Sequence, residues 1–242
     1  MPYRRLPNTD SARIKALKKA NSKGKDLPPF KLAYSQSTFQ RVQMFLPTFE
    51  QTITLQKHAY STQAKNNRDY QQKMKKAKLY ISHFIQVLNL SVIREEMPSS
   101  AKNFFNLPKD NKKVPPLNTE EDIIKWGENL IAGENKRKQM GKAPITNPTI
   151  ALVKVRYEAF IEAHNYQKTL KKNTARSQEK LVDLRKEADD IILNIWNEVE
   201  DSFKDLPDEV RREKAKDYGL IYVYRKNEIG KINFYNIQSN IG

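Results

Sequence analysis

The sequence predicts a mainly α-helical protein built around two long helices that share a duplicated heptad pattern. Three observations lead to this prediction. Apolar residues recur at alternating spacings of four and three over two runs of about fifty residues. Hydrophobic residues make up only 38% of the 242-residue chain, which suits helices with narrow buried stripes. No glycine lies between Lys25 and Trp126, which argues against a β-sandwich or a nucleotide-binding sheet.

The two heptad tracks are related by a shift of 111 residues. The first begins at Val42 and ends at Leu88, and the second begins at Val153 and ends at Val199. Both tracks are apolar at their ends and polar in the middle. The pairs that match under the shift are Phe49 with Phe160, Gln56 with Gln167, Ala77 with Ala188, Ile81 with Ile192, Phe84 with Ile195, and Leu88 with Val199.

Two arrangements of the long runs follow from this pattern. Each run could be one unbroken helix, about 75–85 Å long at about 1.5 Å per residue, paired with the other as an antiparallel coiled coil. Alternatively, each run could fold back at its polar middle, near Asn66 and near Asn173, to give a four-helix bundle. Because neither middle contains glycine or proline, unbroken helices are favoured.

Prolines and capping residues divide the chain into three predicted regions. These are a basic N-terminal arm with a short helix (1–34), a helical bundle (35–205) with long helices over about 48–97 and 149–205 and a connector over 98–148, and a C-terminal region (206–242) with a short helix and a β-hairpin.

The short elements are predicted from local signals. Thr9 or Asp10 can cap a helix that ends near Ala20, before the break at Gly24. A second short helix begins at Thr119 and ends near Ile131, and a third begins at Leu206 and ends at Gly219. Alternating β-rich stretches over 220–226 and 231–237, joined by the turn NEIG, predict the terminal hairpin.

Positive charge is concentrated at the beginning of the chain. The formal net charge is +16, and +13 of it belongs to residues 1–90. Solubility alone would be served by an even spread of both signs, so a concentrated excess favours a polyanionic partner.

Two groups of basic residues are the candidate phosphate contacts. On the first long helix, a basic face covers about 140° of arc roughly opposite the heptad stripe, and Asp69 is its one acidic neighbour. The second group lies in the N-terminal arm. The candidate nucleic-acid-binding residues are Lys57, Lys65, Arg68, Lys75 and Lys78 on the helix and Arg4, Arg5, Arg13, Lys15, Lys18 and Lys19 in the arm. A weaker third candidate is the stretch Lys136–Arg137–Lys138 with Lys142.

Catalytic and cofactor motifs are not found in the sequence. The chain lacks cysteine, which excludes disulfides and thiolate chemistry. His58, His83 and His164 have no metal-site spacing, and no phosphate-binding glycine loop or nucleophile motif occurs. We therefore expect no enzyme activity, no metal site and no cofactor. No secretory signal and no membrane-spanning segment are expected either.

Five stretches carry a resemblance to a protein family. They read MPYRRLPNTDSARIKALKKA, LYISHFIQVLNL, IIKWGENLIAGE, PITNPTIALVKV and YGLIYVYRKNE. In these stretches the chain resembles a family of uncharacterised Bacteroidota proteins of similar length, beginning PYRRLPNTD. The resemblance implies a bacterial or phage-derived cytoplasmic setting and supplies no catalytic residues.

The function predicted from the sequence is non-catalytic binding of nucleic acid. Structured RNA or a ribonucleoprotein is favoured over specific DNA, with the arm and the basic helix face contacting phosphates. The alternative is a structural or assembly protein, whose long helices act as a rigid scaffold for protein partners or for self-association. An enzyme on a helical bundle is the third hypothesis, and it would require polar residues that converge in a pocket.

Overall fold

The computed structural model describes residues 2–110 and 113–224 and consists mainly of helices. The α-helices are α1 (Asp10–Asp26), α2 (Gln36–Ile93), α3 (Glu120–Gln139), α4 (Ile150–Ser202) and α5 (Asp208–Lys216). Two 3₁₀ segments, Pro29–Lys31 and Ser99–Phe105, and two strands, β1 (Tyr3–Arg4) and β2 (Tyr222–Val223), complete the described elements. The predicted pair of long helices is confirmed, and each long run is one continuous helix rather than a folded-back pair.

The duplicated heptad stripes are the faces that α2 and α4 bury. The fully buried stripe residues are Val42, Phe49, Ala77, Ile81, Phe84 and Leu88 on α2, and Val153, Phe160, Ala188 and Val199 on α4. The polar middle is satisfied by amides: Asn66 Nδ2 donates to Gln167 Oε1 at 3.0 Å, and Gln167 Nε2 donates to Asn67 Oδ1 at 3.4 Å. Paired amides of this kind fix the register of two helices, because a slip would leave Gln167 buried without partners.

The sequence is helical in pattern from Ser35, with Pro47 expected either to begin the main helix near residue 48 or to kink it; helix α2 begins at Gln36 and continues through Pro47. A proline inside a helix costs about 3 kcal/mol through its missing N–H donor and its steric clash. Burial of Phe39, Val42 and Phe45 before the proline offsets this cost. The α4 carboxylate Glu198 also anchors the start, because it accepts from the Ser35 N–H and the Thr38 hydroxyl.

The chain divides into two compact units. Unit 1 comprises residues 1–58 and 175–242, and unit 2 comprises residues 59–174. The core of unit 1 includes Leu17, Phe49 and Trp196. The core of unit 2 includes Phe84, Ile123, Leu130, Phe105 and Phe160. Unit 2 carries 21 Lys and Arg against 11 Asp and Glu, a net charge of +10, and unit 1 carries the remaining +6.

A similar order of helices occurs twice along the chain. Helices α1 and α2, which are separated by the 3₁₀ segment Pro29–Lys31 and followed by the 3₁₀ segment Ser99–Phe105, precede α3, α4 and α5. Thr9 caps α1 by accepting from the Ala12 N–H at 3.2 Å, and Thr119 caps α3 by accepting from the Asp122 N–H at 3.1 Å. Each half of the sequence therefore supplies a threonine-capped helix, a long helix and a short helical segment in the same order.

The first two short helices are longer than predicted. Helix α1 continues past Gly24 to Asp26, and glycine fits inside it because a side chain at 24 would overlap the ring of Phe39 and lie 2.7 Å from the Tyr34 hydroxyl. Helix α3 continues past Ile131 to Gln139, because its last turns bury Glu134 and Arg137. In both cases tertiary packing overrides the local propensity of glycine to end a helix.

The predicted C-terminal hairpin lies partly outside the described residues. Strand β2 falls within the first predicted stretch, 220–226, but it pairs with the N-terminal strand β1 in antiparallel fashion. Tyr3 pairs with Val223, and Arg4 pairs with Tyr222. The second predicted stretch, 231–237, is outside the described residues.

Gly133 of α3 is expected to resist substitution although it lies inside a helix. A Cβ there would overlap the Phe104 carbonyl oxygen and lie 2.6 Å from Phe105 Cδ1. Overpacking in Gly133→Ala should lower the free energy of unfolding by about 1–3 kcal/mol. The gain of about 1 kcal/mol in helix propensity offsets only part of this loss, so we expect a net destabilisation. Urea unfolding measures the effect, with Asn135→Ala, an exposed position of α3, as the control. Equal stabilisation by both substitutions would contradict the packing argument.

Candidate polyanion-binding surface

The part of α2 in unit 2 carries five exposed basic residues. Four of them form what we call the lysine ridge, Lys65, Arg68, Lys75 and Lys78, and the fifth is Lys76. At 100° per residue, these side chains point away from the buried stripe that contains Tyr70 and Ala77. In the part of the chain that the structure describes, no ridge residue has a carboxylate within ion-pair distance. The ridge therefore presents uncompensated positive charge to solvent.

Asp69 is the one acidic residue in the sequence between Lys65 and Lys78, and it is paired with a lysine outside the ridge. Asp69 Oδ2 lies 2.8 Å from Nζ of Lys73, one turn along the helix. The hydrogen bond from Lys73 to Asp69 raises the pKa of the Lys73 ammonium. Because Asp69 is matched by Lys73, which is not a ridge residue, its charge does not neutralise the ridge.

Helix α4 adds basic residues to unit 2 that the sequence analysis missed. Lys168, Lys171 and Lys172 are exposed. The missed signal is local: between Glu162 and Glu179 the sequence has four basic residues and no acidic one. It was hidden because residues 149–242 as a whole are nearly neutral, at +1.

The N-terminal arm differs from the ridge, because two of its three arginines, Arg4 and Arg13, are paired within unit 1. Arg4 Nη1 donates to Asn197 Oδ1 at 2.8 Å and lies 3.2 Å from Glu200 Oε2. Arg13 makes two hydrogen bonds to Asp189, of 2.7 and 2.9 Å. Both guanidinium groups therefore hold the arm against α4 and are not available to phosphates.

A second bidentate pair strengthens this attachment. Arg185 Nε and Nη2 each donate to Asp10 at 2.7 Å. These hydrogen bonds lower the pKa of the Asp10 carboxyl group against the opposing effect of its burial. The hydrogen bond to Asp189 likewise raises the pKa of Arg13. Residues 4–13 are thus docked on the protein by charge-assisted hydrogen bonds, which are stronger than neutral ones.

The other arm candidates have mixed environments. Lys18 Nζ lies 2.7 Å from Glu50 Oε1 at the surface, and Lys19 Nζ donates to the Lys216 carbonyl at 3.3 Å. Arg5 and Lys15 are exposed and have no carboxylate partner among the described residues. Lys57 is exposed on the part of α2 that belongs to unit 1, where its charge contributes to lowering the pKa of Asp10.

The third predicted basic stretch contains a structural arginine. Arg137 is 4% exposed, and its Nη1 donates to the fully buried Glu134 at 2.7 Å. Lys136, Lys138 and Lys142 are exposed. The structure therefore removes Arg137 from the candidate phosphate contacts and leaves only its lysine neighbours.

No family model, curated protein or solved structure matches this chain. Within residues 2–110 and 113–224, His, Asp and Glu side chains do not gather in groups of three or more that could hold a metal ion. Every helix in the described ranges is too short or too polar to cross a membrane.

Proposed function

We propose that this protein binds structured RNA without catalysis, and that the lysine ridge of unit 2 contacts the phosphate backbone. The observation that carries the proposal is the exposure of four ridge cations that have no carboxylate partner in the described part of the chain. The net charge of +10 on unit 2 supports it by attracting polyanions over a longer range. The arm residues Arg4 and Arg13 are no longer included, because they are paired within unit 1.

The geometry of the ridge favours contact with phosphates over contact with bases. Lys65 and Lys78 are thirteen residues apart on one helix, a separation of about 20 Å at 1.5 Å per residue. Lysine ammonium groups act as point charges and carry no information about base sequence. We therefore propose recognition of RNA shape and charge rather than of a specific DNA sequence.

Neutralising the ridge tests this proposal. A variant with Lys65→Gln, Arg68→Gln, Lys75→Gln and Lys78→Gln should bind a structured RNA at least about tenfold more weakly at low salt. The slope of log affinity against log salt should fall by about three, because each lost phosphate contact contributes about 0.7–0.9. Fluorescence anisotropy across a salt series measures both quantities.

The matched control removes the same number of charges from unit 1. Lys180→Gln, Lys186→Gln, Lys204→Gln and Lys214→Gln all lie at exposed positions. We expect this variant to keep most of the wild-type salt slope. Equal losses in the two variants would show that only net charge matters, and the absence of RNA binding by the wild type would reject the proposal.

The alternative function, a scaffold for protein assembly, has its own support in unit 2. Leu152, Val155 and Tyr166 lie on one side of α4 and are 47%, 57% and 52% exposed, respectively. Exposed apolar residues on one helix side are typical of a protein-binding surface. Light scattering on the nuclease-treated protein distinguishes the two functions, because a scaffold would form a stable oligomer that does not require RNA.

A further inference from the structure

Unit 2 contains a half-open cavity of about 250 Å³ where α2, the first turn of α3 and α4 meet. Three of the side chains that line it, Tyr70, Glu120 and His164, form a polar cluster. Glu120 Oε1 accepts a hydrogen bond from the Tyr70 hydroxyl, and Glu120 Oε2 lies 3.3 Å from Nδ1 of His164. Tyr70 is 2% exposed, and its burial and this hydrogen bond raise the pKa of its phenol, so it remains a donor.

This cluster orients the histidine. With Nδ1 directed at the Glu120 carboxylate, the other ring nitrogen, Nε2, has no protein partner in the described part of the chain. A histidine held by a carboxylate through one nitrogen can offer the other to a ligand. His164 lines the cavity, and its side chain is 20% exposed.

Two lysines complete the cationic side of the cavity. His164, Lys168 and Lys171 are spaced four and three residues apart, so they share one face of α4, and all three line the cavity. Glu120 and Glu121 line it as well, yet neither lysine forms an ion pair within residues 2–110 and 113–224. The two ammonium groups therefore remain available for an external anion.

We propose that this cavity binds a phosphomonoester group, held by Lys168, Lys171 and His164. A phosphate offers several acceptor oxygens to the two lysine ammonium groups, and His164 donates to it through Nε2 in the imidazolium form, in which Nδ1–H donates to Glu120. Pockets for whole drug-sized ligands have volumes of about 300–1,000 Å³, so this smaller cavity suits a terminal phosphate better than an internal phosphodiester with nucleosides on both sides. The phosphate belongs either to the end of a bound RNA, which rests on the proposed function, or to a free mononucleotide.

The experiment compares two RNAs of identical sequence, one with a 5′-phosphate and one with a 5′-hydroxyl. Wild-type protein should bind the phosphorylated RNA about tenfold more tightly, as expected for one net charge-assisted hydrogen bond. The double variant Lys168→Gln/Lys171→Gln should lose this preference. The ridge variant should bind both RNAs more weakly and keep the preference, because the ridge does not line the cavity. Competition with adenosine monophosphate and with inorganic phosphate tests the free ligand.

Glu121→Gln should change the preference for the 5′-phosphorylated RNA in the opposite direction. It removes a repulsive carboxylate from the cavity rim, so it should increase the preference for the phosphorylated end. If wild-type protein binds both RNAs equally, and neither adenosine monophosphate nor inorganic phosphate displaces RNA, the cavity proposal is wrong while the RNA proposal stands. If no RNA binds but adenosine monophosphate does, as measured by calorimetry and abolished in Lys168→Gln/Lys171→Gln, the RNA proposal fails and the cavity proposal stands.

Discussion

Glu134→Ala is expected to destabilise the protein by about 3–5 kcal/mol, because it leaves the buried Arg137 guanidinium without its counter-ion. Glu134 is fully buried and accepts from Arg137 at 2.7 Å and from the Ile145 N–H at 2.8 Å. Arg137 also donates to the Ala143 carbonyl at 3.0 Å. The pair therefore fastens residues 143–145 to α3, and urea unfolding should show the loss.

The control for this prediction removes both charges together. Glu134→Gln with Arg137→Met keeps an oxygen that can accept from Ile145 N and leaves no buried charge unpaired. We expect it to lose less than half as much stability as Glu134→Ala, because replacement of a complete buried ion pair is often close to neutral. A loss below about 1 kcal/mol for Glu134→Ala would mean that water reaches Arg137 and that the pair is not sealed.

The ion pairs explain why the candidate surface was only partly predictable. Charge density along the sequence identified the ridge residues Lys65 to Lys78, since their exposure depends on helix periodicity alone. The partners of Arg4 and Arg13 lie 196 and 176 residues away along the chain. Sequence spacing cannot show such pairing, so the docked arm appeared as a second basic element.

Trp196→Ala is the second large effect that we expect, at about 3–5 kcal/mol. Trp196 is 1% exposed and lies in the core of unit 1 with Leu17 and Phe49. Its removal would leave a cavity lined by residues of α1, α2 and α4, which rigid helices cannot close. Circular dichroism during urea unfolding measures the change without relying on tryptophan fluorescence.

The other tryptophan provides a matched comparison. Trp126 is half-buried in unit 2, packs against that core from its edge and has Lys125 Nζ 5.5 Å from its ring centroid. Because less apolar surface is lost, Trp126→Ala should cost about 1–2 kcal/mol. Equal effects of the two substitutions would contradict the assignment of Trp196 to a closed core.

The fold was more predictable than the surface, and the reasons are specific. Heptad spacing identified the buried apolar ends of both stripes, such as Val42 on α2 and Val199 on α4, but the same spacing also included Tyr60, which is 62% exposed. Helix ends were less predictable where a glycine packs closely against an aromatic ring, as Gly24 packs against Phe39. Such packing depends on the tertiary structure and does not follow from the local sequence. The pairing of β2 with β1 was missed for the same reason, because it joins the two ends of the chain.

The discontinuity of unit 1 has a consequence for synthesis on the ribosome. Residues 59–174 form one uninterrupted stretch and can collapse as soon as they emerge, whereas residues 1–58 lack their packing partners on α4 until about 140 more residues have been translated. During that interval the apolar stripe at Val42 and Phe49 is unprotected, which favours transient chaperone binding.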